Sequence, residues 1–458
     1  MNGAEAIAKI MWARSVAVVG ASSHPDKWGY KTVETIVNGG YSGRIYPINP
    51  KGGQILGLPM YRSILDVPGE LDLVVLVIPV EAVPEALRQA AAKGVKAVVV
   101  TTAGYREGGH YEREAELKRL AVELDLRVLG PNLQGFIYVP NQLSAMFWPY
   151  VRMVGPLGLI SHSGSVSAAL AEWAVDDGLG ISGLVNMGNQ MDLCDADVLR
   201  FYQQDENTRA VALYAEGIRG DGRTFIHAAS ELAHEKPFVV LKGGHSTVGQ
   251  RSVASHTGAL AGSHQIFAAA CRQNGILVAD DLESLYNMGK ALATMRPTLG
   301  RRVLVVTTSG GGATLAADEA ERQGLEIPPL PTGLVEDLRQ LDLLFNATLS
   351  NPLDLVGVIA DHFERSILAA DRYDVADSYL IVFADPVPGS TEMVKRLWTS
   401  TKRNLAVAYF GGGLQEKTSR LEMLAAGIPV FHSSERAVQG IAAMVRATEL
   451  HQREASGE

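Results

Sequence analysis

The sequence predicts an α/β protein whose sheets are parallel and doubly wound. Short runs of β-branched residues are each followed by a glycine-rich turn and a helical stretch, which is typical of strands joined by crossover helices. The run at residues 72–78 is apolar on both faces, as a strand covered by helices on both sides requires. One strand–turn–helix pattern occurs twice, from Leu159 and from Val305. We therefore expect a Rossmann-like domain followed by two doubly wound domains of one plan.

The elements of the first domain follow from the same patterns. Apolar runs predict five strands, at residues 15–19, 43–48, 73–78, 97–101 and 126–129. The stretches between them predict helices at residues 31–38, 83–93 and 111–124. A later boundary falls where Pro297 and Gly300 interrupt the pattern. The predicted domains are residues 1–150, 151–296 and 297–458.

The composition limits the class of protein. Of the 458 residues, 47% are hydrophobic and 20% are charged, so a large core is expected and disorder as the main state is excluded. A net charge of −9 without a strongly basic block argues against a nucleic-acid binder. No apolar run approaches the roughly 20 residues that span a bilayer. The two cysteines, Cys194 and Cys271, form neither a disulfide framework nor a zinc motif. We expect a cytoplasmic protein that binds neither nucleic acid nor membrane.

The turn after the first strand is a candidate nucleotide site. Gly20, Ala21 and Ser22 lie between this strand and a helix, where backbone N–H groups of a parallel sheet meet a phosphate. The glycine fingerprint of dinucleotide-binding domains is absent. Lys51 follows the second strand where an acidic residue would hold the ribose of NAD, so a ligand with an additional phosphate is favoured, either coenzyme A or NADP. Pro79 ends the third strand at the same edge.

Two further helix starts have the composition of phosphate sites. One is formed by Ser163, Gly164 and Ser165, and the other is the glycine-rich turn after Ser309, which contains Gly310 and Gly311. Small residues, free N–H groups and the positive end of a helix dipole favour an anion at such a turn. If the two repeated domains pack by pseudo-symmetry, both helix starts could face one anion. The plainer interpretation is that both serines are ordinary N-caps.

One histidine has an unusual setting. His256 lies in a long stretch of small residues that precedes another helix start, and an imidazole nitrogen can accept a phosphoryl group when an anion-binding surface holds its oxygens. Glu216 ends a strand on the ligand edge and could orient that ring through its other nitrogen. Asp354 is interpreted as a turn residue. His162 precedes a phosphate-like turn, and the sequence gives it no role.

Taken together, these residues resemble the NDP-forming acyl-CoA synthetases of the succinyl-CoA synthetase superfamily, in particular the α subunit of ADP-forming acetate–CoA ligase. The resemblance covers nearly the whole chain, and its most specific motif surrounds His256, which matches the phosphorylated histidine. Glu216 matches the glutamate that orients it. The resemblance also implies that the second and third domains are flavodoxin-like. The other matching residues are Gly20, Ala21, Ser22, Lys51 and Pro79 for CoA, and Ser163, Gly164, Ser165, Ser309, Gly310 and Gly311 for phosphate.

The resemblance implies a reaction in steps. Phosphate attacks an acyl-CoA to give an acyl phosphate, His256 takes the phosphoryl group, and ADP becomes ATP. The family's nucleotide site lies on an ATP-grasp domain, for which the tail of this sequence is too short. We therefore expect ATP or ADP with Mg²⁺ on a separate ATP-grasp β subunit, in an α2β2 assembly or with a homodimer of this chain. Leu133-Gln134 stands where many relatives have Cys-Leu, which puts a preference for acetate in doubt and leaves larger or polar acids open.

Two other functions remain open from the sequence. An NADP-dependent oxidoreductase would use the first domain, but it lacks the glycine fingerprint and leaves two domains unexplained. A non-catalytic CoA-binding regulatory protein would keep the fold, but it would have no need of the pair His256 and Glu216.

Overall fold

The computed structural model describes residues 1–251 and 263–456, with side chains described up to residue 452. The chain forms two compact units. The first contains Met1–Asp176 and Gly180–Val278, and the second contains Asp177–Leu179 and Ala279–Glu458.

The first sheet of the first unit has five parallel strands in the order β2-β1-β5-β6-β7. The strands, with the small antiparallel pair β3 and β4, are β1 (Ser15–Val19), β2 (Arg44–Ile48), β3 (Gln54–Ile55), β4 (Leu58–Pro59), β5 (Leu73–Leu76), β6 (Ala97–Val100) and β7 (Arg127–Leu129). The helices of this part are α1 (Gly3–Met11), α2 (Trp28–Gly39), α3 (Val83–Ala92) and α4 (Tyr111–Glu123). Strands β5 and β6 are buried throughout, because helices cover both faces. The strand order reverses between β1 and β5, and ligands of open parallel sheets bind at such a switch point.

The second sheet of this unit has seven strands in the order β14-β13-β12-β10-β11-β8-β9. Its strands are β8 (Gly135–Tyr138), β9 (Leu143–Met146), β10 (Val154–Ser161), β11 (Ile181–Asn186), β12 (Ala210–Ala215), β13 (Phe238–Lys242) and β14 (Leu277–Val278). Its helices are α5 (Gly164–Asp176), α6 (Asp195–Gln204), α7 (Gly222–Glu235) and α8 (His264–Gln273). Strands β8 and β9 are antiparallel additions at one edge, and the parallel order reverses between β10 and β12.

The second unit contains a five-stranded parallel sheet in the order β16-β15-β17-β18-β19. Its strands are β15 (Val303–Thr307), β16 (Leu353–Asp354), β17 (Ser378–Phe383), β18 (Asn404–Tyr409) and β19 (Val430–Phe431). Its helices are α9 (Leu282–Thr294), α10 (Gly310–Gln323), α11 (Thr332–Arg339), α12 (Ala360–Asp371), α13 (Ser390–Ser400), α14 (Leu414–Ala425) and α15 (Ser434–Ser456). The switch point of this sheet lies between β15 and β17, so the turn after β15 is its candidate ligand edge.

These sheets confirm the predicted α/β fold class, with all five strands of the first domain at or within one or two residues of their predicted ends. Helix α2 begins at Trp28, earlier than predicted. Its N-cap is Lys27, which makes no side-chain hydrogen bond, so the sequence contains no capping residue that would mark this start. The division into three domains stays a prediction. In the structure, β8 and β9 pair with the second sheet, and α9 belongs to the second unit.

Candidate functional site

The turn between β1 and α2 is held close to its neighbours by two glycines. Gly20 has a φ of +93°, and a Cβ there would lie 2.0 Å from the backbone oxygen of Val77. A Cβ on Gly29, at the start of α2, would lie 1.9 Å from the backbone oxygen of Gly20. The Asn49 side chain donates to the oxygen of Ala21 at 2.7 Å. The helix start, the turn and the end of β2 therefore form one tight structure at the switch point.

A cavity of about 840 Å³ opens beside this turn, within the first unit. The structure brings seven predicted site residues to its wall, and these are Gly20, Ala21, Ser22, Pro79, Ser163, Gly164 and Ser165. The candidate CoA turn of the first sheet and the candidate phosphate turn of the second sheet thus face one space. Lys51 does not line this cavity: its side chain is exposed, and its backbone N–H donates to Asn49, which does line it.

The start of α5 forms the side of the cavity that carries the candidate phosphate turn. Ser161 Oγ accepts from the N–H of Ser163 at 3.2 Å and donates to its carbonyl at 2.8 Å, so the turn before the helix is fixed. The hydroxyls of Ser163 and Ser165 lie 3.2 Å apart. The helix that follows has 13 residues. Its dipole, its first N–H groups and these hydroxyls form a surface that favours an anion.

Gln134, in the segment between β7 and β8, packs beside that surface. The backbone N–H of Gln134 donates to the Asn186 side chain at 2.7 Å, and a Cβ on Gly164 would lie 2.6 Å from the Gln134 side chain. Its carbonyl accepts from the N–H of Phe147, whose ring stacks on Trp28 with centroids 4.8 Å apart. Both rings line the cavity, so its wall has an aromatic part and a polar part.

Glu216 follows β12 on the other side of the second switch point. It is 9% exposed, and its backbone N–H donates to Nδ1 of His162 at 3.1 Å. Burial raises the pKa of the neighbouring Tyr214, and the charge of Glu216 raises it further. Burial lowers the pKa of Lys242, at the end of β13. The ends of these strands therefore present charged groups in a partly desolvated setting.

His162 is the functional candidate that the sequence failed to identify. Its side chain is 6% exposed, it lines the cavity beside Ser163, and its Nε2 lies 2.9 Å from Asp195 Oδ1. Sequence separations of 33 and 54 residues divide His162 from Asp195 and from Glu216. The only signal in the sequence was its place after a strand and before a phosphate-like turn.

The second predicted phosphate turn lies in the second unit, at the start of α10. Ser309 Oγ accepts from the N–H of Gly312 at 3.4 Å, which is the N-cap geometry of the plainer interpretation. A Cβ on Gly310 would lie 3.4 Å from Asp354 Oδ2. Asp354 also accepts from the N–H of Val356 at 2.9 Å, as a turn residue does. A phosphate role for Ser309, Gly310 and Gly311 stays a prediction, and so does convergence of the two helix starts.

The predicted phosphorylated residue, His256, lies outside the described residues. Within residues 1–251 and 263–456, no group of three or more histidine, cysteine or acidic side chains is arranged to hold a metal ion. In the same parts of the chain, no helix is long and apolar enough to cross a membrane.

Comparison with known families matches most of the first unit. The family described as "CoA binding domain" matches residues 14–139. The family described as "Succinyl-CoA ligase like flavodoxin domain" matches residues 154–292. These two descriptions agree with the two sheets whose turns face the cavity.

Comparison with whole proteins extends the match over the full chain. The α subunit of ADP-forming acetate–CoA ligase I of Pyrococcus furiosus is 35% identical over 94% of this chain and 96% of its own length. The α subunit of ligase II of the same organism is 32% identical, with the same coverage. The dinucleotide-forming acetyl-coenzyme A synthetase 1 of Candidatus Korarchaeum cryptofilum, solved with phosphate and ADP, superposes with a TM-score of 0.90 at 31% identity, covering 98% of each chain. Sequence, fold and cavity agree, and the chain belongs to the family of ADP-forming acyl-CoA ligase α subunits.

Proposed function

We propose that this chain interconverts acyl-CoA, ADP and phosphate with a carboxylic acid, CoA and ATP, through an acyl phosphate and a phosphohistidine at His256. The observation that carries the proposal is the single cavity, because the candidate CoA turn at Gly20 and the candidate phosphate helix start at Ser163 share its wall. An acyl thioester and a phosphate held there would be adjacent, as transfer between them requires. The proposal includes a cytoplasmic location, supported by the composition.

CoA and phosphate are assigned to opposite sides of the cavity. Gly20, Ala21, Ser22 and Pro79 offer backbone groups and small side chains to CoA. Lys51 is assigned to the 3′-phosphate from the end of β2, although its side chain points into solvent rather than lining the cavity. A mobile surface lysine can fold over a bound phosphate, since its stem carries several rotatable bonds.

The first chemical step occurs at the start of α5. Phosphate held by Ser163, Gly164 and Ser165 attacks the thioester carbonyl, the C–S bond breaks, and CoA leaves as the thiolate. The N–H groups and the dipole of the helix stabilise the phosphate that attacks. The product is an acyl phosphate still bound at the same helix start.

The second step moves the phosphoryl group to a ring nitrogen of His256. The P–O bond to the acyl oxygen breaks, the carboxylate leaves, and an N–P bond forms. The carboxylate of Glu216 stabilises the positive charge that develops on the ring by accepting from its other N–H. Ser309, Gly310 and Gly311 are assigned to the oxygens of the phosphoryl group at a stage after its transfer to His256.

A separate subunit completes the proposed reaction. The Pyrococcus relatives are themselves named α subunits, and this chain covers nearly their whole length. We assign ADP or ATP with Mg²⁺ to an ATP-grasp β subunit, in an α2β2 assembly or with a homodimer of this chain. The acid is a small carboxylic acid, and acids larger than acetate are included because Leu133 and Gln134, which replace the Cys-Leu of many relatives, line the cavity.

The proposal is tested by mapping acid-labile phosphate. The tagged chain is incubated with labelled ATP and Mg²⁺ in an extract of its native host, which supplies the partner, and the label is located by peptide mass. We expect label on His256 that CoA plus an acid discharges. His256→Ala should remove label and turnover while CoA affinity stays within about twofold. The exposed His227 offers the matched control, and His227→Ala should keep both.

The outcomes separate the competing functions. Absence of label with a nucleotide-binding partner bound, together with tight CoA binding, would favour the CoA-binding regulatory protein. Retained turnover in His256→Ala would overturn the phosphohistidine. Because the chain belongs to the ligase family, no observation now favours an NADP-dependent oxidoreductase. Absorbance of the purified chain would show any bound nicotinamide.

A further inference from the structure

His162 connects the two strand ends that border the second switch point. It follows β10, and its backbone N–H donates to the carbonyl of Tyr214, near the end of β12, at 3.0 Å. Its ring then accepts from the N–H of Glu216 at 3.1 Å. One residue therefore contacts β12 through its backbone and the residue after β12 through its side chain, and the ring is almost fully buried.

The hydrogen bonds of the ring determine which nitrogen carries its proton. A backbone N–H can only donate, so Nδ1 of His162 must be the unprotonated nitrogen facing Glu216. The proton then lies on Nε2, which donates to the carboxylate of Asp195 at 2.9 Å. The amide nitrogen of Gln190 lies 3.1 Å from the same Nε2, but both groups are donors in this tautomer, so they make no hydrogen bond to each other. A proton on Nδ1 would face the N–H of Glu216, so the geometry makes Nδ1 the acceptor and Nε2 the donor of the ring.

Asp195 is built to hold the ring in this orientation. It is 2% exposed, and it is the first residue of α6. Its backbone N–H donates to the Gln190 side-chain oxygen at 3.2 Å. The N-terminus of a helix favours a carboxylate, and Asp195 Oδ1 is placed to accept from Nε2 of the ring. The chain of contacts runs from Asp195 through the ring to the backbone of Glu216.

We infer that His162 is a positioning residue for Glu216. Its ring accepts from the backbone N–H of Glu216, and Asp195 keeps the ring in the orientation that allows this hydrogen bond. The inference rests on the proposed function, in which the Glu216 carboxylate orients His256. In general, a residue just beyond the end of a strand makes no ladder hydrogen bond through its N–H, so its two backbone angles can rotate. The bond to His162 fixes that backbone, and so sets where the carboxylate can reach. A displacement of about 1 Å there would slow phosphoryl transfer on the order of 100-fold.

Two amide substitutions test the two ring nitrogens separately. In His162→Asn, the short side chain can place its oxygen near the position of Nδ1 and still accept from Glu216. In His162→Gln, the longer side chain can place its NH₂ near Nε2 and still donate to Asp195, but it loses the acceptor for Glu216. We expect His162→Asn to keep the rate of His256 phosphorylation within about fivefold, and His162→Gln to lower it roughly 10- to 100-fold. The KM for acyl-CoA should change less than this rate does, because the hydrogen bonds of the ring go to Glu216 and Asp195.

The measurement uses the tagged chain in native-host extract with labelled ATP and Mg²⁺, and it includes a double-mutant cycle. If His162 acts through Glu216, then His162→Gln combined with Glu216→Gln should be no slower than Glu216→Gln alone, within about twofold. Multiplying effects would overturn the inference, and so would equal rates for the Asn and Gln variants or a change confined to the KM.

Further measurements distinguish a folding defect, a failure of the proposed function and a failure of the positioning role. Thermal melting of each variant shows whether it folds. If His162→Gln does not fold, ¹⁵N NMR of histidine-labelled wild-type protein decides, with His162→Asn identifying the signal. A proton on Nε2 supports the inference, and a proton on Nδ1 overturns it. If His256→Ala keeps its turnover, the proposed function fails. If His256→Ala is inactive and His162→Gln is normal, only the positioning role fails.

Discussion

The close approach between α2 and the β1 turn gives the sharpest test of the CoA site. In Gly29→Ala, the new Cβ would lie 1.9 Å from the carbonyl oxygen of Gly20, whereas ordinary contacts begin at 3.4 Å. The obstructing atom is backbone and cannot rotate away. The helix start and the turn must therefore separate by roughly 1.5 Å, which is the difference between these two distances. Gly20, whose backbone is proposed to meet CoA, would move with the turn.

The magnitude follows from this displacement. Overpacking of this kind costs about 1–3 kcal/mol, offset by up to ~1 kcal/mol because alanine is a better helix former than glycine. A shift of more than 1 Å in a binding backbone weakens a well-placed ligand by roughly 10- to 100-fold, or about 1.4–2.7 kcal/mol. We expect Gly29→Ala to raise the Kd for CoA by that factor and to lower the melting temperature by only a few degrees.

Isothermal titration of the purified chain with CoA measures the effect, and Gly222→Ala is the matched control. Like Gly29, Gly222 lies in the first turn of a helix, α7, and a Cβ there would meet nothing within 4 Å. It should leave the Kd unchanged and keep or slightly raise the melting temperature, because alanine is the better helix former there too. If Gly29→Ala is folded and binds CoA with the wild-type Kd, then either the turn does not contact CoA or the close approach does not position it, and the reasoning is refuted.

The remaining predictions concern a buried ion pair and the aromatic wall. In the second unit, Asp177 pairs with the fully buried Lys290 at 2.8 Å and with Arg420 at 3.1 Å. In urea titration, Asp177→Ala should therefore lower the free energy of unfolding of that unit by about 3–5 kcal/mol. Lys290→Met should lower it by less, because Arg420 still pairs with the carboxylate. Burial alone would raise the pKa of Asp177, but the His432 hydrogen bond and the Lys290 charge bring it well below its usual range. The resulting stability is therefore present above about pH 4 and lost as the pH falls further, and melting curves of Asp177→Asn should show a weaker acid dependence. Trp28→Ala, which removes one ring of the stacked pair at the cavity, should weaken CoA or acyl-CoA binding about two- to tenfold by titration.

The parts of the site that could be predicted from sequence are those encoded locally. The turn at Gly20 and the helix start at Ser163 each combine an apolar run, a short small-residue turn and a helical stretch within a few residues. Parallel strands bring the ends of such runs to one edge, so their position in the fold followed from the pattern. Family membership confirms the ADP-forming acyl-CoA ligase that these motifs indicated together, and the roles of the individual residues stay predictions.

The parts that could not be predicted depend on contacts between distant segments. His162 has no local signal, because its meaning comes from Asp195 and Glu216, which two other segments of the chain supply. The attachment of β8 and β9 to the second sheet was missed for a similar reason. Nothing near residue 135 distinguishes a strand that continues the first sheet from one that pairs with β11. Lys51 was assigned by its position after a strand, which does not determine where a long side chain points.

The two halves of the candidate site share one hydrophobic core, and this bears on the mechanism. A single cluster of buried side chains extends from Ile7 and Val16, around the first sheet, to Val185 and Val240, in the second. Leu133 and Met187, close to the cavity and the strand ends, belong to the same cluster. Close-packed side chains transmit displacement rather than absorb it. The separation between the candidate CoA turn and the candidate phosphate helix start is therefore set by the packing of the first unit. In the proposed function, this packing would hold thioester and phosphate at reacting distance without a hinge between the sheets.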